Sequence, residues 1–412
     1  MKYVIIGNGP AAVSCIDGIR SVDTDGSITV ISKEAHPAYF RPLISYYLEG
    51  KSKADNIFCR DKDFYQKNRV ETVLGEAVAI DKDSRIVALS SGENISYDRL
   101  CICTGSSPFV PPMKGLDTVE KRFTFLTIDD SFAIEQAITP DSRVLIIGAG
   151  LIGLKCAEGL RDRVGQVTVC DLAPRVLSSI LDDECAAIVQ KHLEDCGIRF
   201  SLANTADSFD GGTAHMKDGS TIDFDVLVLA LGVRPNIGFF KDAGGECGRA
   251  IVVDNAMKTS LENIYAAGDC VEQYDISFGD RRIMALLPNA NIGGRIAGVN
   301  MAGGELLFDN AVPMNSIGFW GLHMMTAGTY SADGGARMIE EKGENTVKRF
   351  FVKDNRLIGF MIIGDVRSAG IYTNLVRSQT DLSELDFDSL IKSPNLLPFS
   401  ENYRRKKLRG VV

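Results

Sequence analysis

The stretch IIGAGLIGLKC, residues 146–156, decides the fold, because an apolar strand runs directly into G-x-G-x-x-G and then into a helix. In such a turn the first glycine allows a tight bend and the second lets the backbone approach a pyrophosphate. The third lets the helix pack closely on the strand. The phosphates then lie at the helix N-terminus, where free N–H groups and the helix dipole favour anions. Gly148, Gly150 and Gly153 hold these positions, so the stretch predicts a dinucleotide-binding site.

The chain opens with a second stretch of the same kind, YVIIGNGPAA, in which Gly7, Gly9 and Ala12 hold the three positions. Both copies follow a strand and open a helix, which makes the pair far more specific than an isolated motif. Two dinucleotide sites in one chain suggest electron transfer between two cofactors, since a nicotinamide alone needs only one. We expect FAD in the first site and NADH in the second, with a hydride passing between them.

An acidic residue follows the second strand of each unit. Asp171 ends the strand QVTVCD, and Glu34 comes just after SITVIS. Each is expected to hydrogen-bond a ribose hydroxyl; the alternative for each is a solvated acid in a loop. A carboxylate at Asp171 would repel a 2′-phosphate and so favours NADH over NADPH. Arg175 weakens this inference, because it could instead receive a phosphate.

Composition and charge restrict the class of protein. The 412 residues are 45% hydrophobic and 24% charged, as in an ordinary globular protein of two or three domains. The net charge of −9 argues against nucleic acid as a partner, because phosphate binding needs a basic face. The sequence has neither a signal-peptide pattern nor an apolar run long enough for a membrane span, so we expect a cytoplasmic protein.

The cysteines and histidines show no ligand spacing. Of the ten cysteines, only Cys101 and Cys103 are close in sequence, and this spacing suits neither a zinc site nor a disulfide framework. Buried thiols in a reducing compartment are therefore expected. We expect no metal site, since the histidines are scattered, at His36, His192, His215 and His323.

Further motifs occur in a recognisable order along the chain. They are GNGPAA (7–12), YDRLCICTGSSP (97–108), GAGLIG (148–153), ALGVRPN (230–236) and TSLENIYAAGD (259–269). With them the sequence resembles the FAD-dependent pyridine nucleotide oxidoreductases of the two-dinucleotide-binding-domain group. The resemblance implies that Asp269 holds the FAD ribityl chain and that Thr104 and Gly105 lie along FAD. It also implies that the helix carrying Asn289 and Ala290 points its N-terminus at the flavin pyrimidine ring, where negative charge gathers on reduction.

Strand-turn-helix signals alternate along the chain, which predicts an α/β fold with parallel sheets. We expect two Rossmann-like dinucleotide-binding domains and a C-terminal α+β interface domain, in which VKRFFVKDNRLIGFMIIGD forms a hairpin. The expected boundaries are 1–114 with 248–310 for the FAD-binding domain, 115–247 for the NAD(P)-binding domain and 311–412 for the C-terminal domain. Helical structure is also expected near residues 60–69.

The motifs and the resemblance together give a set of expected cofactor-binding residues. The set comprises Gly7, Gly9, Pro10, Ala11, Ala12, Lys33, Glu34, Arg41, Pro42, Ala77, Val78, Thr104, Gly105, Gly148, Gly150, Leu151, Ile152, Gly153, Asp171, Arg175, Gly232, Gly268, Asp269, Asn289 and Ala290.

The segment AYFRPLISYYLEG, residues 38–50, separates the subfamilies. Disulfide reductases carry C-x-x-x-x-C here, and CoA-disulfide reductases and related NADH oxidases carry one redox cysteine near Pro42 or Leu43. This chain has neither, and its nearest cysteine is Cys59. The segment is similar to that of rubredoxin reductases, ferredoxin reductases and the flavin part of assimilatory nitrite reductases. The resemblance implies electron transfer from flavin to a small acidic carrier such as rubredoxin or ferredoxin, or to a partner redox subunit.

Alternatives remain at this point. The chain could be an NADH oxidase or a CoA-disulfide reductase-like enzyme, although the missing cysteine disfavours water formation through a sulfenic acid. A non-catalytic redox-sensing flavoprotein is a third interpretation, and a homodimer is compatible with all of them.

Three side chains are candidates for positions beside the flavin. Tyr46 stands where ferredoxin reductases often have lysine, and Lys155 stands where the family often has glutamate. A cation at Lys155 would stabilise anionic reduced flavin and raise its potential, unless the side chain only reaches solvent. Trp320, the single tryptophan, is the candidate for an aromatic at the flavin edge where a carrier could dock; the alternative is a core or interface tryptophan.

A basic tail ends the chain, with Arg404, Arg405, Lys406, Lys407 and Arg409 close together. Such a tail could raise the association rate of an acidic carrier. The alternative is a solvated terminus.

Overall fold

A computed structural model describes residues 1–343, 346–395 and 397–408. The chain divides into two compact units. The first contains Met1–Ser179, Ala186–Gln273 and Arg282–Phe308. The second contains Ile180–Cys185, Tyr274–Arg281 and the described residues from Asp309 onward. The finer division into two dinucleotide-binding domains stays a prediction.

The first part of the chain alternates strands and helices. Its strands are β1 (Lys2–Ile6), β2 (Ser27–Ser32), β3 (Val70–Leu74), β4 (Ala77–Asp81), β5 (Ile86–Leu89), β6 (Asn94–Ser96), β7 (Arg99–Ile102) and β8 (Ser106–Pro108). Its helices are α1 (Pro10–Arg20), α2 (Ile44–Leu48) and α3 (Phe64–Lys67), with 3-10 turns at Arg41–Leu43 and Ala54–Ile57. Helix α3 is much shorter than the stretch near 60–69 suggested, because Arg69 already has a left-handed φ of 50°.

The middle part repeats the same plan. Its strands are β9 (Arg122–Thr124), β10 (Arg143–Ile147), β11 (Gln166–Asp171), β12 (Arg199–Leu202), β13 (Ala206–Asp210), β14 (Thr213–Met216), β15 (Thr221–Asp223), β16 (Val226–Leu229), β17 (Val233–Pro235), β18 (Ile251–Val252), β19 (Ile264–Ala266), β20 (Val271–Asp275) and β21 (Asp280–Ile283). Its helices are α4 (Ile128–Ala137), α5 (Leu151–Leu160), α6 (Asp183–Asp195), α7 (Gly238–Asp242) and α8 (Leu287–Met301), with a 3-10 turn at Leu116–Thr118.

Two parallel sheets form the centre of the first unit. One has the strand order β19-β7-β1-β2-β3 and the other β12-β11-β10-β16-β9. In both, the strand that precedes the glycine turn lies in the middle, and its residues after the first are buried. Such near-continuous apolar strands are typical of sheets covered on both faces. The predicted α/β class with parallel Rossmann-like sheets is therefore confirmed.

The second unit is built on an antiparallel sheet. Its strands are β22 (Met314–Phe319), β23 (Leu322–Gly328), β24 (Arg337–Gly343), β25 (Thr346–Lys353) and β26 (Arg356–Ile363), in the order β22-β23-β26-β25-β24. Its helices are α9 (Ala369–Ser378), α10 (Phe387–Lys392) and α11 (Glu401–Leu408), with 3-10 turns at Asp333–Gly335 and Leu382–Glu384.

The predicted hairpin in this unit is confirmed. Strands β25 and β26 pair in antiparallel fashion around a two-residue loop, Asp354 and Asn355. Both loop residues have a positive φ, of 48° and 57°, as a tight turn between twisted strands requires. The sheet packs against α9 through a core that includes Phe350, Phe360 and Tyr372.

The structure also addresses membrane and metal features in the residues it describes. None of their helices is long and apolar enough to cross a membrane. In the same residues, no group of three or more His, Cys, Asp and Glu side chains could hold a metal ion.

Candidate functional site

The first glycine of each motif makes the bend that the sequence predicts. Gly7 and Gly148 have φ values of 106° and 119°, which disfavour any other residue. A Cβ on Gly7 would lie 2.1 Å from the carbonyl oxygen of Cys103, and one on Gly148 would lie 2.3 Å from that of Ala230. Each turn is therefore pressed against the neighbouring strand's end, where ligands bind in parallel α/β sheets.

The second glycine of each motif faces open space. Gly9 and Gly150 are the N-caps of α1 and α5, and a Cβ on either would meet no atom within 4 Å. Their N–H groups and those of the first helical turn that follows, except at Pro10, which has no N–H, are the free donors of a helix N-terminus. Both turns therefore fit the pyrophosphate of a dinucleotide.

The third position differs between the two motifs. A Cβ on Gly153 would lie 1.9 Å from the carbonyl oxygen of Gly148, so only glycine fits there. In the first motif Ala12 is fully buried without such a clash. The close approach is made instead between α1 and α8. A Cβ on Gly294 or Gly298 would lie 2.1 Å from a carbonyl oxygen of α1.

A charged group lies at the mouth of the first turn. The carboxylate of Glu34 accepts hydrogen bonds from Arg41 Nη2 and from the Tyr39 hydroxyl, both at 2.6 Å. Arg41 also donates to the carbonyl oxygen of Leu126 at 3.0 Å. The neighbouring Lys33 is exposed and pairs with Glu76 at 2.8 Å. The structure thus brings the predicted Glu34 and Arg41 together, and Tyr39 is a partner that sequence reasoning missed.

Asp269 offers a carboxylate without a partner among the described residues. It follows Gly268, whose φ is 88°. Burial raises the pKa of Asp269, while the positive charge of Arg41 acts in the opposite direction. An acceptor that no described group satisfies fits a ligand rich in hydroxyls, such as the FAD ribityl chain. Asn289 and Ala290 are buried in the first turn of α8.

Thr104 and Gly105 connect the two glycine-turn regions. The Thr104 hydroxyl donates to the carbonyl oxygen of Asn236 at 2.8 Å, and the amide of Asn236 donates back to the Thr104 carbonyl at 3.1 Å. The backbone N–H of Asn236 also donates to the Gly105 carbonyl oxygen at 3.0 Å. Asn236 ends the ALGVRPN motif, so two motifs distant in sequence are fixed to each other here.

Asp171 lies against the second turn. Its carboxylate accepts the backbone N–H of Ala149 at 2.7 Å and that of Ala173 at 2.8 Å. The acid is therefore held beside the glycine turn, where a carboxylate can receive a ribose hydroxyl. Arg175 lies in the following loop, with its guanidinium 3.5 Å from the carbonyl oxygen of Ser178.

Tyr46 and Lys155 are in contact. The Lys155 ammonium lies 4.9 Å from the centroid of the Tyr46 ring, which is cation–π distance. Lys155 also forms an ion pair with Glu158, and its side chain is only 18% exposed. The side chain therefore does not simply extend into solvent. Glu158 was not among the predicted residues, although its i,i+3 spacing from Lys155 is a visible signal.

The remaining predicted residues lie at turns and helix starts. Trp320 and Gly321 form the turn between β22 and β23, with φ values of 41° and 91°. The others lie in the first turn of α1 or α5, in the 3-10 turn Arg41–Leu43, on β4, or before β17: Pro10, Ala11, Pro42, Ala77, Val78, Leu151, Ile152 and Gly232.

The thiols are withdrawn from solvent. Cys59, the cysteine nearest in sequence to the subfamily segment, is 8% exposed, and burial raises its pKa to about 12. Cys101 and Cys103 are buried with their sulfur atoms 3.6 Å apart. Among the cysteines in the described part of the chain, only Cys196 and Cys247 are partly exposed.

Comparison with known proteins shows the family of the chain. Residues 1–294 match the pyridine nucleotide-disulphide oxidoreductase family. The NADH-dependent phenylglyoxylate dehydrogenase subunit epsilon of Aromatoleum evansii is 31% identical over 394 residues, with 93% of each chain covered. An NADH oxidase of Methanocaldococcus jannaschii is 36% identical over 398 residues, which cover 90% of this chain and 89% of that one.

A third relative has a solved structure. The NADH-rubredoxin oxidoreductase of Clostridium acetobutylicum is 27% identical over 366 residues, with coverage of 89% of this chain and 91% of that one. Its crystal structure has the same fold, with a TM-score of 0.75 at 24% identity and coverage of 95% and 99%. The chain therefore belongs to the pyridine nucleotide-disulphide oxidoreductase family and is an FAD-dependent oxidoreductase of pyridine nucleotides.

Proposed function

We propose that this chain oxidises NADH and passes the electrons one at a time to a small acidic carrier, rubredoxin or ferredoxin, or to a partner redox subunit, in the cytoplasm. FAD supplies, when bound, an acceptor for the hydride of NADH and a source of single electrons. We assign FAD to residues 1–114 with 248–310, NADH to 115–247, and the interface role to 311–412.

The observation that carries this proposal is that the described residues around the two glycine turns offer no accessible thiol. Residues 38–50 contain no cysteine, and Cys59 is buried with a raised pKa. Thiol chemistry needs an accessible thiolate, so a disulfide or a sulfenic acid is a poor second redox centre here. Electrons from the flavin would therefore pass directly to the external acceptor, without a protein thiol as an intermediate redox centre.

The side chains of the site then have binding and orienting roles. The N–H groups around Gly9 and Gly150 hold the two pyrophosphates at helix N-termini. Glu34 and Asp171 bind ribose hydroxyls, and Asp269 binds the ribityl chain. The free N–H groups in the first turn of α8, where Asn289 and Ala290 lie, would favour the negative charge that FAD gains on reduction.

Steady-state kinetics with different acceptors tests the proposal. The first measurement is the anaerobic bleaching of the bound flavin by NADH. NADH oxidation is then measured with rubredoxin, ferredoxin, O₂ and CoA disulfide as acceptors. We expect the largest kcat/KM with an iron–sulfur or rubredoxin-type carrier. A larger value with O₂ or CoA disulfide would contradict the proposal, and a flavin that NADH does not bleach would favour a sensing role.

An NADH oxidase is the second candidate, and its support is the 36% identical relative with that name. This activity would consume O₂ at a rate comparable to that of NADH loss. Measurement of peroxide would then distinguish two-electron reduction of O₂ to peroxide from four-electron reduction to water.

We expect NADH to be the better donor by about 10-fold or more, because a repelled or unpaired buried group costs roughly 1–3 kcal/mol. The physical reason is the Asp171 carboxylate, held beside the turn by Ala149. The measurement is kcat/KM for NADH and NADPH in the wild type, in Asp171→Ala and in Arg175→Ala. Equal kcat/KM values for NADH and NADPH in the wild type would contradict this prediction and would indicate that Arg175 receives the 2′-phosphate of NADPH.

Alkylation of the folded protein is expected to leave NADH-to-ferricyanide activity intact. Iodoacetamide can reach only the partly exposed Cys196 and Cys247 among the cysteines. Mass spectrometry identifies the modified sites, and the double variant Cys196→Ser, Cys247→Ser is the control. Activity lost with modification of a single cysteine would revive the CoA-disulfide alternative.

Removal of the residues after Tyr403 tests the basic tail. Arg404 and Arg405 lie on α11, and Arg409 lies outside the described residues. If the tail attracts an acidic carrier, kcat/KM for that carrier falls and its salt dependence flattens, because such fields act over about 8 Å at physiological salt. Ferricyanide reduction is the internal control. Unchanged carrier kinetics at low salt would leave the tail without this role.

A further inference from the structure

The hydroxyl of Tyr39 lies between a proposed FAD-binding residue and the first turn of α4. It donates to Glu34 Oε2 at 2.6 Å, and it accepts the backbone N–H of Ile128 at 3.1 Å. Ile128 is the first residue of α4, where a backbone N–H has no acceptor inside the helix. One hydroxyl therefore joins a carboxylate that we assign to FAD with a helix that begins 89 positions after Tyr39 in the chain.

Arg41 makes a second connection between the same two places. Its Nη2 donates to Glu34 Oε1 at 2.6 Å, while its Nη1 donates to the Leu126 carbonyl oxygen at 3.0 Å and to the Tyr39 hydroxyl at 3.3 Å. Both oxygens of Glu34 are thus held by protein groups, one by Tyr39 and the other by Arg41. We call these three side chains, Glu34, Tyr39 and Arg41, the Glu34 cluster.

The Tyr39 hydroxyl uses its full hydrogen-bonding capacity within the protein. The residue is 4% exposed, and burial raises the pKa of its phenol, so the hydroxyl keeps its proton at neutral pH. That proton is donated to Glu34, and the two lone pairs accept N–H groups of Ile128 and Arg41. Tyr39 therefore has no free group to offer a ligand, and its effect on a ligand passes through its neighbours.

The backbone on either side of Tyr39 is fixed independently of the hydroxyl. The N–H of Phe40 donates to the Ile57 carbonyl oxygen at 2.9 Å, and the N–H of Cys59 donates to the Ala38 carbonyl oxygen at 2.7 Å. A phenylalanine at position 39 would therefore keep the ring in place and remove only the hydroxyl.

The Glu34 cluster lies beside the other residues that we assign to FAD. Glu34 follows Ile31, whose carbonyl oxygen accepts the N–H of Gly7 in the first glycine turn at 2.8 Å. Arg41 is close enough to Asp269 for its positive charge to oppose the rise that burial causes in the pKa of that carboxyl. The orientation of the cluster is therefore part of the geometry of the proposed FAD site.

Resting on the assignment of FAD in the proposed function, we propose that Tyr39 is a positioning residue for FAD. Its hydroxyl orients Glu34 and Arg41 for the cofactor and makes their orientation depend on the first turn of α4. Coupling of this kind acts in both directions. FAD at the first glycine turn therefore stabilises the first turn of α4, which belongs to the region that we assign to NADH.

The Kd for FAD in Tyr39→Phe, measured by titration of the full-length apoprotein, tests the proposal. We expect a rise of about 10-fold, because a hydrogen bond to the charged Glu34 is lost. Tyr47→Phe is the matched control, since the Tyr47 hydroxyl also donates to a carboxylate of α4, that of Glu135, which lies about two turns further along the helix. It should change the Kd for FAD by less than about 2-fold.

A double-mutant cycle separates positioning from a general loss of stability. If Tyr39 acts through Glu34, then Tyr39→Phe should raise the Kd for FAD by less than about 3-fold in the Glu34→Ala background. Full additivity of the two substitutions would overturn the proposal. An unchanged Kd in Tyr39→Phe, or an equal rise in Tyr47→Phe, would also overturn it.

Hydrogen exchange of residues 126–131 measures the reciprocal effect without any catalytic turnover. In the wild type, FAD should slow the exchange of this segment, and Tyr39→Phe should remove most of that protection. The same protection by FAD in both proteins would contradict the coupling between the cofactor and α4.

Ile128→Pro gives an independent variant if Tyr39→Phe does not fold. Proline suits the first position of a helix and lacks the N–H that Tyr39 accepts, and Thr127 already has the extended backbone that precedes proline. Ile128→Val keeps the N–H and is its control. We expect the Kd for FAD to rise in Ile128→Pro only, and equal values in the two variants would contradict the link to α4.

These measurements use neither NADH nor an electron carrier. A chain whose FAD binding responds as expected but whose flavin NADH cannot reduce would refute the proposed function and not this inference.

Discussion

Asp269→Ala is expected to be purified with little FAD, whereas the wild type retains about one FAD per chain. The carboxylate accepts no hydrogen bond from the described residues, so its hydrogen bonds are left to the cofactor's hydroxyls. A hydrogen bond to a charged group contributes roughly 1.5–3 kcal/mol, which corresponds to a rise in the Kd for FAD of about 10- to 150-fold.

The measurement is the flavin absorbance per protein after gel filtration, followed by titration of the apoprotein with FAD. Asp269→Asn keeps the shape and removes the charge, and its Kd is expected to lie between those of the wild type and Asp269→Ala. Circular dichroism verifies that each variant is folded. A fully yellow Asp269→Ala protein would show that the ribityl chain is bound elsewhere.

Arg349→Leu is expected to destabilise the second unit by about 3 kcal/mol, because breaking a buried ion pair leaves uncompensated charge. The Arg349 side chain is 7% exposed and binds three carboxylates. Its Nε lies 2.7 Å from Glu340, and its other nitrogens pair with Asp182 and Glu184. This expected loss of stability lies at the lower end of the range for broken buried ion pairs, since the three carboxylates are partly exposed and can be rehydrated.

Hydrogen exchange of β24 and β25 measures this effect within the second unit. Arg367→Leu is the matched control, since its pair with Asp365 is exposed, and it should leave the stability of the second unit nearly unchanged. Equal exchange in both variants would mean that the buried network adds no stability.

The same network gives a pH dependence with a defined sign. Bonds to Lys342 and to Arg349 lower the pKa of Glu184 and of Glu340. A carboxyl with a lowered pKa in the folded state contributes stability at neutral pH and loses it as the pH falls through that pKa. The difference between wild type and Arg349→Leu should therefore shrink below about pH 4.

Much of the fold could be predicted from the sequence, because glycine turns are local and sterically demanding. Gly7 and Gly148 need a positive φ, and Gly153 admits no Cβ, so the motif itself specifies strand, turn and helix. The hairpin of the second unit was also predictable from local sequence, since Asp354 and Asn355 are residues that a tight turn favours.

The rest depends on contacts between distant segments. The Arg349 network joins residues that are more than 160 positions apart, and no local pattern indicates it. The pair of Lys155 with Glu158 was visible as an i,i+3 spacing. The close approach of α2 to α5, where a Cβ on Gly159 would lie 3.0 Å from the Ser45 carbonyl oxygen, required the three-dimensional structure.

The contact between α1 and α8 has a consequence for the order in which the protein can be completed during synthesis. Gly18 lies so close to α8 that a Cβ would be 2.3 Å from the Arg295 carbonyl oxygen, yet α8 begins only at Leu287. Strand β19, which completes the first sheet, is also made late. At roughly 5–20 residues per second on the ribosome, α8 is synthesised tens of seconds after the first glycine turn and α1. The second parallel sheet needs no strand beyond β16 and can fold in that interval. The dinucleotide-binding site that is translated first is therefore the one whose structure is completed last.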